Sequence, residues 1–364
     1  MFYAAQVLLT ICLIIVLFGI VFPLKMSKRQ LSILWFAYIL SIAVTGYFIN
    51  PGTSLDLYRM YKEINGFRTG TATIFKSPMV VTNFLYWVVS KTSNNGWLVV
   101  IGVLVWGICI QRILKKYLDT HDYETRAVML YFLAANAGCF VIYLLSGIRC
   151  SLASAIWVYA YSEWYKKKKW KYFIFAGITI FIHMLGLVLI AFTEIYRILQ
   201  KKKNVWSYII TFVAIALIGL FLNTDLGVRL VSMYNFGYAQ FVTEAWNAYL
   251  LRGYEFQQQR EMMFRIISGL IYLFLVIQLH IRKNRENEIW GFYILVMFAG
   301  FNMSILFERL PYVLGIASLP IINESALSKK GISKVCFYFV FTVFTILQIL
   351  WGVYEMSIWI DFKY

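Results

Sequence analysis

Apolar residues fall in long runs along the chain, at residues 2–24, 31–49, 97–114, 127–146, 148–165, 205–222, 261–281, 289–307, 311–323 and 334–354. Most approach the roughly 20 residues that a helix needs to cross a hydrocarbon core about 30 Å thick, so the pattern predicts about ten transmembrane helices. The five prolines, Pro23, Pro51, Pro78, Pro311 and Pro320, lie in loops or near the ends of runs, where a missing backbone N–H is tolerated. Two segments resist a simple crossing. Residues 78–90 are too few, and residues 172–197 have basic residues at both ends, so both are expected to be re-entrant or interfacial. The expected fold is all-α: one polytopic integral membrane domain over residues 1–364, with external loops at about 50–77 and 223–260 forming a cavity. Met1 to Leu24 lacks a basic start and a small-residue cleavage site, and reads as the first transmembrane helix.

Composition agrees, with 61% hydrophobic and 14% charged residues and a mean hydropathy of +0.70. The net charge of +17 does not point to nucleic acid, because the basic residues stand in short clusters between apolar runs. By the positive-inside rule, Lys25/Lys28/Arg29, Arg112/Lys115/Lys116, Lys166 to Lys171, Lys201 to Lys203, Arg282/Lys283/Arg285 and Lys329/Lys330 are cytoplasmic, and both termini are external. This orientation puts 22 Lys and Arg inside, 16 of them lysine, and 12 outside, 8 of them arginine. The external arginines are Arg59, Arg68, Arg149, Arg229, Arg252, Arg260, Arg265 and Arg309. Topology needs only positive charge, whereas a planar five-donor fork suits a phosphate or carboxylate held at two points. The external face therefore looks built for an anion.

Metal chemistry has little to build on. Cys12, Cys109, Cys139, Cys150 and Cys336 show no CxxC or Cys/His spacing, and His121, His183 and His280 are far apart. Neither a metal site nor a cofactor is expected.

Four stretches are candidates for chemistry. In the first external loop, Ser54-Leu-Asp-Leu-Tyr-Arg-Met-Tyr-Lys-Glu63 on a helix sets Asp56 three residues from Arg59, and Tyr58 three from Tyr61. It reads either as a solvated interfacial helix with an ordinary ion pair, or as a sugar site in which Asp56 or Glu63 accepts from, or acts as base for, a hydroxyl. Arg149 stands in Leu145-Ser-Gly-Ile-Arg-Cys150, where two spans meet and an isolated guanidinium is costly without an anion. The next helix runs inward, so its N-terminal N–H groups face the same anion. Arg309, two residues before Pro311, is expected at a similar helix start, and the two arginines form either an anion clamp or separate snorkelling side chains. His183, in Ile180-Phe-Ile-His-Met-Leu-Gly186, is either a packing residue or, with a chain break at His183 and Gly186, an imidazole open to the cavity as base or phosphate ligand. The loop at 223–260 carries Tyr234, Phe236, Tyr238, Phe241, Trp246, Tyr249, Tyr254 and Phe256. These rings suit the membrane interface, and equally a lid that meets sugar faces.

The order of these pieces resembles the bacterial polysaccharide polymerases of the Wzy and EpsG type, which extend O-antigen, capsule or exopolysaccharide. The resemblance spans most of the chain: Asp56, Tyr58 and Tyr61 in an early external loop, Arg149 to Ala155 after a span, His183 in the next apolar segment, a large external loop, then Arg309 with Tyr312. The chain departs from that pattern in reading Asp-Leu-Tyr rather than adjacent Asp-Tyr, and in having Met184-Leu185 after His183. The resemblance implies a metal-independent, inverting glycosyltransferase at the outer face of the bacterial cytoplasmic membrane. Its partners would be undecaprenyl-pyrophosphate-linked donor and acceptor, membrane lipid and a chain-length regulator. It implies Arg149, Arg309 and Arg59 on the pyrophosphate, His183 or Asp56 as base or acceptor-orienting group, and Tyr58, Tyr61, Tyr312 and Trp246 on sugars. A lipid-linked oligosaccharide flippase should show an internal repeat, and none stands out. A membrane O-acyltransferase needs its histidine accessible from the cytoplasm.

Overall fold

The computed structural model describes residues 1–22, 24–52, 56–138, 147–165, 170–202, 205–222, 269–275, 277–278, 288–300 and 304–362. They are all-α apart from one short strand pair, and divide into two compact units, Met1–Gly186 with Gly315–Tyr364, and Leu187–Leu314. Arg229, Arg252, Arg260, Arg265, Trp246 and the loop at 223–260 lie outside the described residues.

The first unit opens with an antiparallel helix pair, α1 (Phe2–Val21) and α2 (Lys28–Tyr47). A capping box starts α2: Gln30 N–H donates to Ser27 Oγ at 3.3 Å while Ser27 N–H donates to Gln30 Oε1 at 2.8 Å. Strand β1 (Ile49–Pro51) and helices α3 (Asp56–Arg68) and α4 (Val80–Ser90) follow, before α5 (Trp97–Thr120). Helix α5 lies centrally: 56% of its apolar window is buried, against 28% for α1, whose Val7, Ile11, Ile14 and Phe18 face outward as lipid-facing residues do. Two glycines let its neighbours approach. Gly107 O accepts from Trp35 Nε1 of α2 at 3.1 Å, and a Cβ on Gly102 would stand 2.6 Å from Ile148 Cγ2. Then come α6 (Thr125–Gly138), α7 (Ile148–Ala160), a π-helical turn over Tyr161–Tyr165, and α8 (Trp170–Ile182).

Contacts define two ends of this unit. At one, Lys28 pairs with Asp119 (3.3 Å), Lys116 with Glu163 (3.1 Å) and Lys334 with Glu124 (2.5 Å), so lysine clusters that the charge pattern puts on one side do gather. At the other, the Phe2 ring meets Phe48 (5.7 Å) and Tyr47 meets Trp97 (5.5 Å). There β1 pairs antiparallel with β2 (Ile360–Phe362), in the register Ile49 to Phe362, Asn50 to Asp361 and Pro51 to Ile360.

Helix α9 (Leu185–Lys202) leads into the second unit, which contains α10 (Val205–Leu222), α11 (Glu288–Ala299) and most of α12 (Ser304–Ala317). Its core is aromatic: the Phe292 ring meets Tyr196 (5.3 Å) and Phe212 (5.8 Å), while Tyr293 Oη donates to Leu189 O (2.6 Å). The chain returns to the first unit through α13 (Leu319–Ser328) and α14 (Gly331–Trp359). There the buried Asn323 donates to Tyr117 Oη (3.1 Å) and Asp122 O (2.8 Å) and accepts from Glu124 N–H (3.0 Å). These bonds satisfy a polar side chain that is otherwise expensive to bury.

Two expectations about segments change. Pro311 does not begin a helix: α12 starts at Ser304 and carries Pro311 inside it, so the break expected between runs 289–307 and 311–323 is not found there. The proline ring holds a helical φ already, and its missing N–H costs one bond rather than the helix. The sharper change of direction comes at Ser318, where Arg309–Ala317 and Leu319–Ser328 are bent by 49°. Among the described residues, α1, α2 and α5 are each long and apolar enough to span, and this bent pair makes a fourth if counted as one span.

Candidate functional site

Helix α4 organises the site. Its 11 residues make about 16 Å, roughly half a hydrocarbon core, so it does not cross. Asn83 holds its entry by donating to Ile74 O (2.8 Å) and Ser77 Oγ (3.1 Å). Arg68 holds its exit: Nε donates to Ser90 O (3.3 Å), one Nη to Thr92 O (2.9 Å) and the other to Asn65 Oδ1 (2.6 Å). Arg68 was among the arginines expected to serve an anion, but carbonyl and amide oxygens take its donors and it fastens α3 to α4. Phe84, Trp87 and Val88 are exposed on one face of α4, and Thr82, Tyr86 and Val89 are buried on the other.

That buried face gathers the other elements. Thr82 Oγ1 donates to Ile182 O at 2.9 Å, the last residue of α8 before His183. One turn on, the Tyr86 hydroxyl feels the charges of Arg149 from α7 and of Glu63 and Arg59 from α3. Arg149 is the second residue of α7, whose start has no side-chain cap. Its Nε is buried and has no hydrogen-bond partner among the described residues. A buried guanidinium donor beside uncapped helix N–H groups is the arrangement an anion completes.

At His183 the helix breaks. His183 and Met184 separate α8 from α9, and Gly186 N–H donates to His183 O (2.9 Å). A Cβ on Gly186 would lie 2.5 Å from the Thr179 carbonyl carbon and 2.7 Å from Ile180 N, so only glycine permits this approach. The expected break at His183 and Gly186 is therefore present. His183 Nδ1 accepts the Leu185 N–H at 3.1 Å, which assigns the proton of the neutral ring to Nε2. In this tautomer Nε2 is a hydrogen-bond donor.

On α3, Asp56 and Arg59 form the expected ion pair, three residues apart. Glu63 pairs with Lys76 at 3.3 Å. Lys62 Nζ stands 4.8 Å from the Tyr58 ring centroid. The Tyr61 hydroxyl is buried without a hydrogen-bond partner among the described residues, and burial pushes that phenol up. In the second unit, Arg309 donates to Tyr312 Oη (3.4 Å) and lies 5.9 Å from the centroid of its ring. Tyr312 is buried, so it first serves to hold Arg309. Arg309 sits in the second turn of α12 and not at its start, which removes the helix N-terminus expected beside it. Tyr86 went unread in the sequence, although Thr82, Tyr86 and Val89 at i, i+4 and i+7 mark one partly polar stripe on an apolar helix.

Apolar helices of spanning length, with a buried arginine on α7 whose Nε has no partner among the described residues, define a helical protein of the membrane-spanning class. The chain belongs to the EpsG family, whose model matches residues 83–363. It is accordingly a membrane protein with a polysaccharide-polymerase-type, glycosyltransferase-like role toward lipid-linked oligosaccharides. No curated protein and no solved structure matches it.

Proposed function

We propose that this protein crosses the bacterial cytoplasmic membrane about ten times and, at the outer face, transfers a growing glycan from undecaprenyl pyrophosphate to the terminal sugar of a new lipid-linked unit. The acceptor hydroxyl attacks the anomeric carbon, the bond from that carbon to the pyrophosphate breaks, configuration inverts, and the carrier leaves as undecaprenyl pyrophosphate. The leaving group is already good, so the enzyme need only stabilise its charge, position both glycans and take one proton, without a metal. Arg149 binds the pyrophosphate, with Arg309 as the second guanidinium. His183 donates from Nε2 to a phosphate oxygen, and Asp56, paired with Arg59, takes or orients the acceptor proton. Tyr58, Tyr61 and Trp246 are assigned to the sugars.

The observation that carries this reading is the buried Arg149 Nε with no partner among the described residues, in a chain of this family. Arg149→Ala should abolish polymer while the protein stays inserted, and Arg149→Lys should rescue poorly, because a point charge lacks the fork. Normal chain lengths from membrane-localised Arg149→Ala would overturn the assignment. Deleting the gene and running surface polysaccharide on a gel separates the classes. Single repeat units still displayed support a polymerase, loss of all display means a flippase, and intact ladders with altered decoration mean an acyltransferase.

A further inference from the structure

On α4 and α7, the Tyr86 hydroxyl and the Arg149 Nε–H are buried and lack an acceptor among the described residues. Tyr86 is 3% exposed, so bulk water does not supply one. The neighbouring carboxylates are engaged elsewhere, Glu63 with Lys76 and Asp56 with Arg59. Helix α4 packs on α8 and α8 packs on α7, which carries Arg149 at its start, and the charge of Arg149 reaches the Tyr86 hydroxyl, so the two donors share one neighbourhood. What this neighbourhood lacks is therefore an acceptor, and a group that meets a buried guanidinium and a phenol together is an anion with several oxygens. Thr82, one turn before Tyr86, is bonded to the carbonyl that precedes His183, so the same face of α4 leads to the ring whose Nε2 carries the proton.

We infer that Tyr86 is a substrate-binding residue whose hydroxyl donates to an oxygen of the diphosphate that Arg149 holds. This rests on the proposed function for the lipid carrier, but not for the anion.

A Tyr86→Phe substitution removes only the hydroxyl, and its signature has two opposite signs. Without ligand, the variant should unfold at the same temperature as wild type or higher, because an unpaired buried hydroxyl is a cost. With ligand, it should bind roughly tenfold or more weakly, the loss of one hydrogen bond to a charged group. The measurement uses the full chain in lipid nanodiscs with two probes, undecaprenyl pyrophosphate and inorganic pyrophosphate. Both probes binding wild type and weakening with Tyr86→Phe support the inference and the carrier. Inorganic pyrophosphate alone binding, and weakening with Tyr86→Phe, supports the inference and overturns the lipid-carrier reading. Equal binding by wild type and variant overturns the inference and leaves that reading standing, and a lowered unfolding temperature without ligand also overturns it, because it marks a structural hydroxyl. No binding of either probe to wild type overturns both.

Discussion

Arg68 is bonded to α4 and the charge of Arg149 reaches it, yet one arginine has protein partners at Nε and both Nη and the other has none at Nε among the described residues. Arg68 has three oxygens on its donors, whereas Arg149 Nε has none among the described residues. An excess of arginine on one side of the membrane therefore mixes structural clamps with ligand sites, and only the partner of each donor separates them. The same logic divides the two roles open to His183. With Nδ1 accepting from Leu185 N–H, the useful nitrogen is a donor. His183→Gln keeps an N–H near the Nε2 position but offers no base, and His183→Ala offers neither. Polymer ladders from His183→Gln should therefore run closer to wild type than those from His183→Ala. Equal loss in both would return the ring to proton transfer.

Helix packing sets where these side chains can reach. Ile148 begins α7 against Gly102 of α5, so the position of Arg149 depends on a glycine in another helix. Gly102→Val should push α7 outward, destabilise the protein by about 2 kcal/mol and shorten the polymer, as overpacking does. Adding Ile148→Ala should recover much of both by restoring the space, which thermal unfolding in detergent and a polysaccharide gel would read. Failure of the second change to help would mean the two residues do not pack as described. The spanning-length helices α1, α2 and α5 were legible in the sequence, because uninterrupted apolar runs leave a helix few alternatives in lipid. The boundary near Pro311 was not, since a proline tolerated within a helix and one opening a helix look alike without neighbours. The break at His183 was legible from its glycine. The part of α4 was not, because its shortness said only that it does not cross, while the value of its polar stripe depends on α3, α7 and α8.

Across the whole first unit, the β1–β2 pair joins the loop before α3 to a strand more than three hundred residues later. Cysteines at Asn50 and Asp361, directly paired in the register, should fall within disulfide reach. On the proposed external side they should oxidise in cells without added oxidant. The expected outcome is a mobility shift on non-reducing gels that disappears on reduction. A thiol pair that stays reduced until cells are broken and treated with oxidant would put this end of the unit in the cytoplasm instead. The strand pair has one more consequence. Phe2 touches Phe48, and Ile49 next to it pairs with Phe362, so the first and last described helices begin and end around the same two residues. The first unit is thus nearly a closed circle, and a circular permutant joined there by a short linker and opened at Lys329–Lys330 should keep its helix packing while moving both new termini to the lysine-rich end.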